Sequence, residues 1–252
     1  MSDPRSDARL ASDLAEEAGA VLRTIRADFP EGGDARALKD AGDIGSHDYL
    51  MAALAQARPE DIVLSEEGAD DPARLRADRV WIVDPLDGTR EFSERPRDDW
   101  AVHVALWERG DLVAGAVAMP ARDVVFATDE VPAVPAATGG KIRLAVSRSR
   151  PPAWLPALVE ALDAELVPMG SAGVKAMSVL SGESDAYVHA GGQYEWDSAA
   201  PVAVARAAGL HTSRVDGSPL VYNQENVLLP DLIVCRPELA DQVLAAVATL
   251  DL

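Results

Sequence analysis

The spacing of the apolar residues changes near residue 60, and this change most limits the folds open to the chain. Before it, apolar side chains recur every three or four positions, as they do on one face of a helix. Leu10, Leu14 and Leu22 predict a long amphipathic helix that ends before the Pro and Gly residues near position 30. A second helix is predicted for about residues 44–57, and Arg58-Pro59 ends it.

After residue 60, apolar residues occur in short runs separated by Gly, Pro or charged turns. The runs lie at residues 62–64, 80–83, 101–107, 113–119 and 124–127. Their length and spacing are typical of strands joined by tight connections. The sequence therefore predicts a meandering, largely antiparallel sheet after the two helices.

An uncharged stretch at residues 131–140, with two prolines and two glycines, is predicted to connect two halves. The halves are residues 1–140, with the antiparallel sheet, and residues 141–252. In the second half strands and helices alternate, which is typical of α/β structure. Its strands are predicted at 142–146, 185–188 and 232–235, and its helices at 152–162, 174–180, 198–208 and 238–250. The fold class of the whole chain is therefore α/β of the α+β kind.

The composition excludes several classes of partner. The chain has 42 acidic and 23 basic residues, a formal net charge of −19, which disfavours binding to nucleic acid polymers or anionic membranes. No uncharged stretch exceeds ten residues, about half of what a membrane-spanning helix needs. The first ten residues contain no apolar segment typical of a secretory signal, so a cytoplasmic protein is expected. Cys235 is the single cysteine and is predicted to pack in a strand.

The most informative segment is an apolar strand that leads directly into Asp84-Pro85-Leu86-Asp87-Gly88-Thr89. Pro85 fixes its own φ angle, and Gly88 can adopt a positive φ, so the chain can turn sharply after Asp84. Asp84 and Asp87 can then point into one small volume. Two close carboxylates repel each other unless a cation or a proton lies between them. The segment therefore predicts a site for a divalent metal ion.

Two other acids follow apolar runs or precede a helix and are candidates for the same site. Glu66 follows the run at 62–64, and Asp197 stands at the start of a helical pattern. Oxygen ligands of this kind suit Mg²⁺ or Mn²⁺, whereas the four histidines have no zinc-site spacing. Each acidic motif alone is more typical of a solvated loop, but their combination with an apolar strand favours a metal site.

Three motifs resemble the hallmarks of the Mg²⁺-dependent inositol monophosphatase superfamily. They are Glu66-Glu67, the six residues from Asp84 to Thr89, and Trp196-Asp197, in that order. The resemblance covers nearly the whole chain and implies a layered αβαβα sandwich with the site between its halves. It also implies two or three Mg²⁺ ions, with Mn²⁺ as an alternative, and inhibition by lithium. The metal ligands that it implies are Glu66, Asp84, the Leu86 carbonyl group, Asp87 and Asp197.

The same resemblance implies how water is activated. Thr89 and an acid at the start of the second helix prepare a water molecule for in-line attack on the phosphate, with Glu66 as a further catalytic residue. Asp43 is the matching acid and Asp48 is the alternative. The plainer interpretation of Asp43 is an ordinary helix N-cap.

A substrate pocket is also implied by the resemblance. Its residues are Gly88, Thr89, Ser171, Ala172, Gly173, Lys175 and Asp197. The amides of Gly88 and Thr89 are expected to hold phosphate oxygens, and Lys175 is expected to meet a second phosphate. A plain helix start that is capped by Ser171 explains the glycine-rich segment equally well.

The residues around these motifs predict the substrate. Arg90-Glu91-Phe92 resembles the CysQ branch of the superfamily, which hydrolyses 3'-phosphoadenosine 5'-phosphate, a by-product of sulfate assimilation, to AMP. Ala190 stands where inositol-preferring members carry a glutamate. His189, Gln193 and Tyr194 are candidates for contact with a nucleobase, although packing explains such residues as well.

The prediction is therefore a Mg²⁺-dependent 3'(2'),5'-bisphosphate nucleotidase that acts on a small anionic phosphate. An inositol monophosphatase or fructose 1,6-bisphosphatase of broad specificity is the alternative. A metal-binding protein without activity is a third hypothesis, which the presence of Thr89 and of every matched acid disfavours. The resemblance also suggests a homodimer.

Overall fold

The computed structural model describes residues 3–137 and 139–252. Over these residues the strands form two five-stranded sheets, and helices cover both. The helices are α1 (Asp7–Asp28), α2 (Ala35–Ala57), α3 (Thr89–Ser93), α4 (Leu155–Leu162), α5 (Ala172–Ser181), α6 (Glu195–Ala207) and α7 (Ala240–Val247). The strands are β1 (Ile62–Ser65), β2 (Arg79–Asp87), β3 (Ala101–Glu108), β4 (Asp111–Met119), β5 (Val124–Ala127), β6 (Ile142–Ser147), β7 (Ala164–Met169), β8 (Ala186–Tyr194), β9 (His211–Ser213) and β10 (Leu228–Cys235).

The first sheet has the strand order β1-β2-β3-β4-β5. Strand β1 is parallel to β2, and the other neighbours are antiparallel, as the sequence predicts. Helix α1 ends at Asp28 as predicted, but α2 begins at Ala35 rather than near residue 44. Leu38 is the one large apolar residue in its first two turns, so they show no apolar period. The available signal was the Asp34 side chain, which accepts a hydrogen bond from the Arg36 amide at 2.9 Å.

The second sheet has the order β7-β6-β8-β10-β9. The predicted strands and helices of this half are present, but the sequence did not predict β7 or the short β9. Glu165 and Pro168 interrupt the apolar residues of β7, and a proline is tolerated there because β7 is an edge strand. Cys235 is buried in β10, and burial raises its pKa to about 12.

Helices and sheets stack in five layers. Helices α1 and α2 cover one face of the first sheet, α5 and α6 lie between the sheets, and α4 and α7 cover the outer face of the second. Gly115 of β4 allows the close approach of α6, because a Cβ atom there would lie 2.6 Å from the Cβ atom of Ala203. The predicted αβαβα sandwich is therefore confirmed.

The predicted connection at residues 131–140 has no helix or strand in its described residues, and Thr138 lies outside them. The first sheet precedes it and the second follows it, while the division at residue 140 stays a prediction. In the described ranges, no helix combines the length and the apolar character needed to cross a membrane.

Candidate metal and substrate site

The end of β2 places Asp84 and Asp87 at the base of a cavity. Pairing with β3 shifts register between these two residues, so the chain bulges at Pro85 and Leu86. The Leu86 amide donates to Asp84 Oδ1 at 3.0 Å, and Ser46 Oγ donates to the Pro85 carbonyl at 2.7 Å. These bonds hold the bulge in one shape.

Gly88 ends this turn in the left-handed region, with φ of 86°. That conformation strains residues other than glycine. A Cβ atom there would also lie 3.2 Å from both the Asp99 carbonyl oxygen and the Ser171 Cβ atom. Gly88 therefore lets the turn pass close to the start of α5.

Three carboxylates meet in front of this turn. Asp84, Asp87 and Asp197 each offer an oxygen within 4.8 Å of the other two. Asp197 lies in the first turn of α6, where its Oδ2 accepts a hydrogen bond from the Tyr194 amide at 2.6 Å. Glu66 follows β1 and lines the same cavity as these three acids. The structure thus brings together the four acids that the sequence predicted as ligands.

The electrostatics of this cluster fit a cation. Burial raises the pKa of Asp84 well above its ordinary value, and the Glu66 and Asp87 carboxylates raise it further. Withdrawal from water, followed by the charges of Asp197 and Asp87, raises the pKa of Glu66 to about 7, although part of this side chain is exposed. Burial and Asp87 raise the pKa of Asp197 to about 6. A divalent ion would relieve this repulsion, and the oxygen donors suit Mg²⁺ or Mn²⁺.

Asp87 differs from the neighbouring acids because several groups donate hydrogen bonds to its carboxylate. It accepts hydrogen bonds from the Ser171 hydroxyl group and from the amides of Ala172, at 3.0 Å, and Gly173, at 2.7 Å. Burial alone would raise the pKa of Asp87, but His103, Lys175 and Ser171 outweigh burial and hold this pKa below its ordinary value. Asp87 is therefore also the group that holds the N-terminal turn of α5.

Thr89 joins the bulge to helix α2. Its Oγ1 lies 3.1 Å from the Leu86 carbonyl oxygen and 3.4 Å from Asp43 Oδ1. Burial and the nearby charge of Glu67 raise the pKa of Asp43 to about 6. Asp48, the alternative in the sequence, is exposed to solvent. Of the two acids, the structure places Asp43 beside Thr89.

The predicted pocket residues lie at different depths. Gly88, Thr89, Ser171, Ala172 and Lys175 line a cavity of about 630 Å³ together with the acids. The Lys175 ammonium is buried and donates to the carbonyl groups of Gly170, at 3.1 Å, and Ser171, at 2.5 Å. Ser171 caps α5, as its plainer interpretation predicts, by accepting from the Val174 amide at 3.0 Å.

The sequence model of the inositol monophosphatase family matches residues 3–251, which is nearly the whole chain. The chain belongs to the inositol monophosphatase family. Its acidic cluster, which could hold a metal ion, agrees with the metal dependence of that family.

Comparison with relatives and solved structures shows which members of the family are similar to this chain. A Mycobacterium tuberculosis protein named 3'-phosphoadenosine 5'-phosphate phosphatase is 53% identical over 241 residues, which cover 92% of this chain and 90% of the relative. The 3'(2'),5'-bisphosphate nucleotidase CysQ of Escherichia coli K12 is 35% identical over 206 residues, 75% of this chain and 82% of that protein. CysQ from Bacteroides thetaiotaomicron superimposes with a TM-score of 0.82 at 29% identity, over 92% of this chain and 98% of that chain. Inositol monophosphatase II of Staphylococcus aureus gives 0.79 at 21% identity, over 93% and 92%, and shows the fold alone.

The far end of the cavity in this inositol monophosphatase family member is lined by β8 and by the segment before α4. His189, Ala190, Gln193 and Tyr194 come from β8, and Arg150 comes from the segment. The Tyr194 ring is 46% exposed and stacks on Trp196, with ring centroids 4.8 Å apart. Among the described residues, no hydrogen-bond partner lies near the buried His189 Nε2 or Gln193 Oε1 atoms.

The sequence did not lead to a prediction for two residues at this site, Arg150 and His103. Arg150 lines the cavity, and the signal available was a basic residue four positions after a predicted strand. His103 lies 3.2 Å from Asp87, but among the four histidines without zinc-site spacing it had no predicted role. The signal for it was a polar residue on the inward face of an otherwise apolar strand.

Proposed function

We propose that this chain is a metal-dependent phosphatase that removes the 3'-phosphate of 3'-phosphoadenosine 5'-phosphate and releases AMP. The observation that carries the proposal is the convergence of Asp84, Asp87 and Asp197 beside Thr89, at one end of a cavity large enough for a nucleotide. The 53% identical relative with that name supports the choice of substrate.

The residues that would hold the metal are Asp84, Asp87, Asp197, Glu66 and the carbonyl group of Leu86. When bound there, Mg²⁺ or Mn²⁺ supplies Lewis acidity and offsets the negative charge of the phosphate. We further propose two or three ions at the site, and inhibition by lithium through competition for the same oxygens. A cytoplasmic location and a homodimer stay predictions.

Thr89 and Asp43 carry the proton transfer. As the oxygen of a water molecule bonds to phosphorus and the bond from phosphorus to the 3' oxygen breaks, the water gives a proton to Thr89 Oγ1 and the Thr89 hydroxyl group gives its own proton to Asp43 Oδ1. The departing 3' oxygen takes up a proton from solvent and becomes the 3' hydroxyl group of AMP. The raised pKa of Asp43, about 6, suits this role because a general base works best with a pKa near the working pH. The backbone of Gly88 and Thr89 borders the phosphate end of the cavity and orients the phosphate oxygens.

The other end of the cavity suits an adenine base. Burial lowers the pKa of His189 to about 4, so its imidazole is neutral at pH near 7 and its Nε2 can accept a hydrogen bond. Gln193 Oε1 is a second buried acceptor without a partner in the described residues. The exposed face of Tyr194 offers a stacking surface for the base, and a small movement of the His189 or Gln193 side chain would turn an acceptor toward the exocyclic amino group of adenine.

The proposal is tested by measuring phosphate release from 3'-phosphoadenosine 5'-phosphate, inositol 1-phosphate and fructose 1,6-bisphosphate at equal Mg²⁺. We expect the nucleotide to give the highest kcat/KM, chelator to remove all turnover, and added Mg²⁺ to restore it. Asp197→Asn is the matched variant, because asparagine can still accept a hydrogen bond from the Tyr194 amide but lacks the negative charge of the carboxylate. A preference for either sugar phosphate contradicts the nucleotidase proposal, and turnover that survives full chelation contradicts the metal dependence.

A further inference from the structure

His103 is a buried imidazole that contacts two parts of the candidate site. It is 1% exposed and lies on the face of β3 that is directed toward α5 and α6. Its Nε2 lies 3.2 Å from Asp87 Oδ2, and its Nδ1 lies 3.1 Å from the Trp196 carbonyl oxygen. Each nitrogen therefore faces a different element, the end of β2 or the first turn of α6.

Gly173 makes room for this ring in the first turn of α5. A Cβ atom on residue 173 would lie 2.0 Å from His103 Nε2, which is closer than any real contact. Gly173, which the sequence assigned to substrate binding, thus lies against His103. The imidazole fills the gap between β2, α5 and α6, the three elements that carry Asp87, Ser171 and Asp197.

An apolar side chain could fill the same space but could make neither the hydrogen bond to the Trp196 carbonyl group nor the ion-pair contact with Asp87. Burial of a polar ring is costly unless both nitrogens are satisfied. His103 has a polar contact at each nitrogen: Nδ1 is hydrogen-bonded to the carbonyl group of the residue that directly precedes Asp197, and Nε2 lies within ion-pair distance of Asp87. The separation of Asp87 and Asp197 therefore depends on a side chain that does not line the cavity.

We propose that His103 is a positioning residue, which fixes the Asp87 carboxylate and the first turn of α6 so that Asp87 and Asp197 can share a divalent ion. This inference rests on the proposed metal site but not on the identity of the substrate. Outer partners of metal ligands commonly change metal affinity by about 10- to 100-fold when they are replaced.

The first experiment compares the wild type with His103→Phe and His103→Asn. Mn²⁺ binding to the metal-free proteins is measured by electron paramagnetic resonance and Mg²⁺ binding by calorimetry, and folding is checked by thermal unfolding without metal. We expect His103→Phe, which fills the volume without the bonds, to weaken binding of both ions by about 10-fold or more. His103→Asn can keep one hydrogen bond, so its affinity is expected to lie between the other two.

Kinetics at saturating Mg²⁺ separate positioning from general damage to the protein. We expect kcat of His103→Phe to recover largely as Mg²⁺ is raised, while the KM for nucleotide stays close to that of the wild type. Unchanged ion affinity in a folded His103→Phe protein would overturn the inference, whatever its activity.

A second experiment uses the close contact with Gly173 and does not depend on the phenylalanine variant folding. Gly173→Ala should displace the ring and weaken Mn²⁺ binding in the wild-type background. In a His103→Ala background the same substitution meets a vacated space, so it should have little further effect. Additive effects of the two substitutions contradict the inference.

The two proposals can fail separately. If the wild type hydrolyses none of the three substrates but His103→Phe still weakens Mn²⁺ binding, the inference stands and the nucleotidase proposal fails. If the wild type is active and its variants bind metal normally, the inference alone fails. A wild-type protein that binds no divalent ion overturns both.

Discussion

Thr89 Oγ1 lies 3.4 Å from Asp43 Oδ1, across a sequence separation of 46 residues. The contact joins the third turn of helix α2 to the turn that ends β2. Because Thr89 also lies 3.1 Å from the Leu86 carbonyl group, its hydroxyl hydrogen has two acceptors and its rotation is limited. The Thr89 side chain is therefore held by the same turn that carries Asp84 and Asp87.

Asp43→Asn is expected to lower kcat by about 100-fold or more, because asparagine cannot take the proton that Thr89 passes on. The KM for nucleotide should change little. Asp48→Asn is the control, since Asp48 is exposed on the same helix, and it should leave kcat unchanged. Steady-state phosphate release measures both variants, and equal losses in the two would contradict the assignment of Asp43.

Asp84→Asn is expected to stabilise the metal-free protein while it removes activity. The raised pKa of Asp84 means that its charge opposes folding above the ordinary aspartate pKa of about 3.9. A neutral side chain removes that repulsion, and each kcal/mol gained raises the unfolding temperature by about 2–4 °C in a protein of this size. Calorimetry without metal and then with Mg²⁺ tests this. The wild type should gain more stability from Mg²⁺, and a variant with a lower metal-free unfolding temperature argues against the idea.

Tyr194→Ala is expected to raise the KM for 3'-phosphoadenosine 5'-phosphate by about 10-fold, because stacking of a base on an aromatic ring is worth about 1–3 kcal/mol. Inositol 1-phosphate has no base, so its KM should change much less. Val221→Ala is the matched control, as Val221 is 53% exposed and does not line the cavity. A similar loss with both substrates would indicate damage to the nearby start of α6 instead.

Asp185→Asn is expected to destabilise the second sheet by about 3 kcal/mol at about pH 7, because it leaves buried charge without a partner. Asp185 accepts hydrogen bonds from Arg143 Nη2 at 2.7 Å and from Arg236 Nε at 2.9 Å, and Arg236 is only 4% exposed. Urea unfolding measures the loss. Asp163→Asn, which removes an exposed ion pair with Lys141, should have no measurable effect.

The stabilisation lost in Asp185→Asn is also expected to depend on pH. Burial alone would raise the pKa of Asp185, but Arg143 and Arg236 outweigh it and hold the pKa below its ordinary value. A group of this kind stabilises the fold above the ordinary pKa of about 3.9, and the stabilisation disappears as the pH falls through the lower folded value. The difference between wild type and Asp185→Asn should therefore shrink on acidification, and a constant difference would contradict this account.

Much of the site could be predicted because its signals are local. The apolar strand, Asp84 and Asp87 lie within a few residues, and the turn between them depends on Pro85 and Gly88. The position of Asp43 was also predictable, although its contact with Thr89 depends on the packing of α2 against the turn. The sequence marks His103 as a polar residue on an apolar strand, but its proposed role could not be predicted, because that role depends on Asp87, Gly173 and Trp196, which only the folded chain brings together.

The fold was predictable where apolar residues keep a regular period. The first turns of α2 carry Arg36, Lys39 and Asp40, so its early start left no pattern to detect. Strand β7 was missed because Glu165 and Pro168 break its apolar run, and both are tolerated at the edge of a sheet. In each case tertiary contacts stabilise an element whose own sequence is ambiguous.

The position of α6 between the two sheets has a consequence during translation. A ribosome that has completed the first sheet has already made Asp84 and Asp87, but Ser171 and Asp197 have not yet been added. The emerging polypeptide then lacks both the amides that hold Asp87 and the last acid of the cluster. An unfinished polypeptide therefore cannot assemble the acidic cluster until nearly four-fifths of the chain has been synthesised.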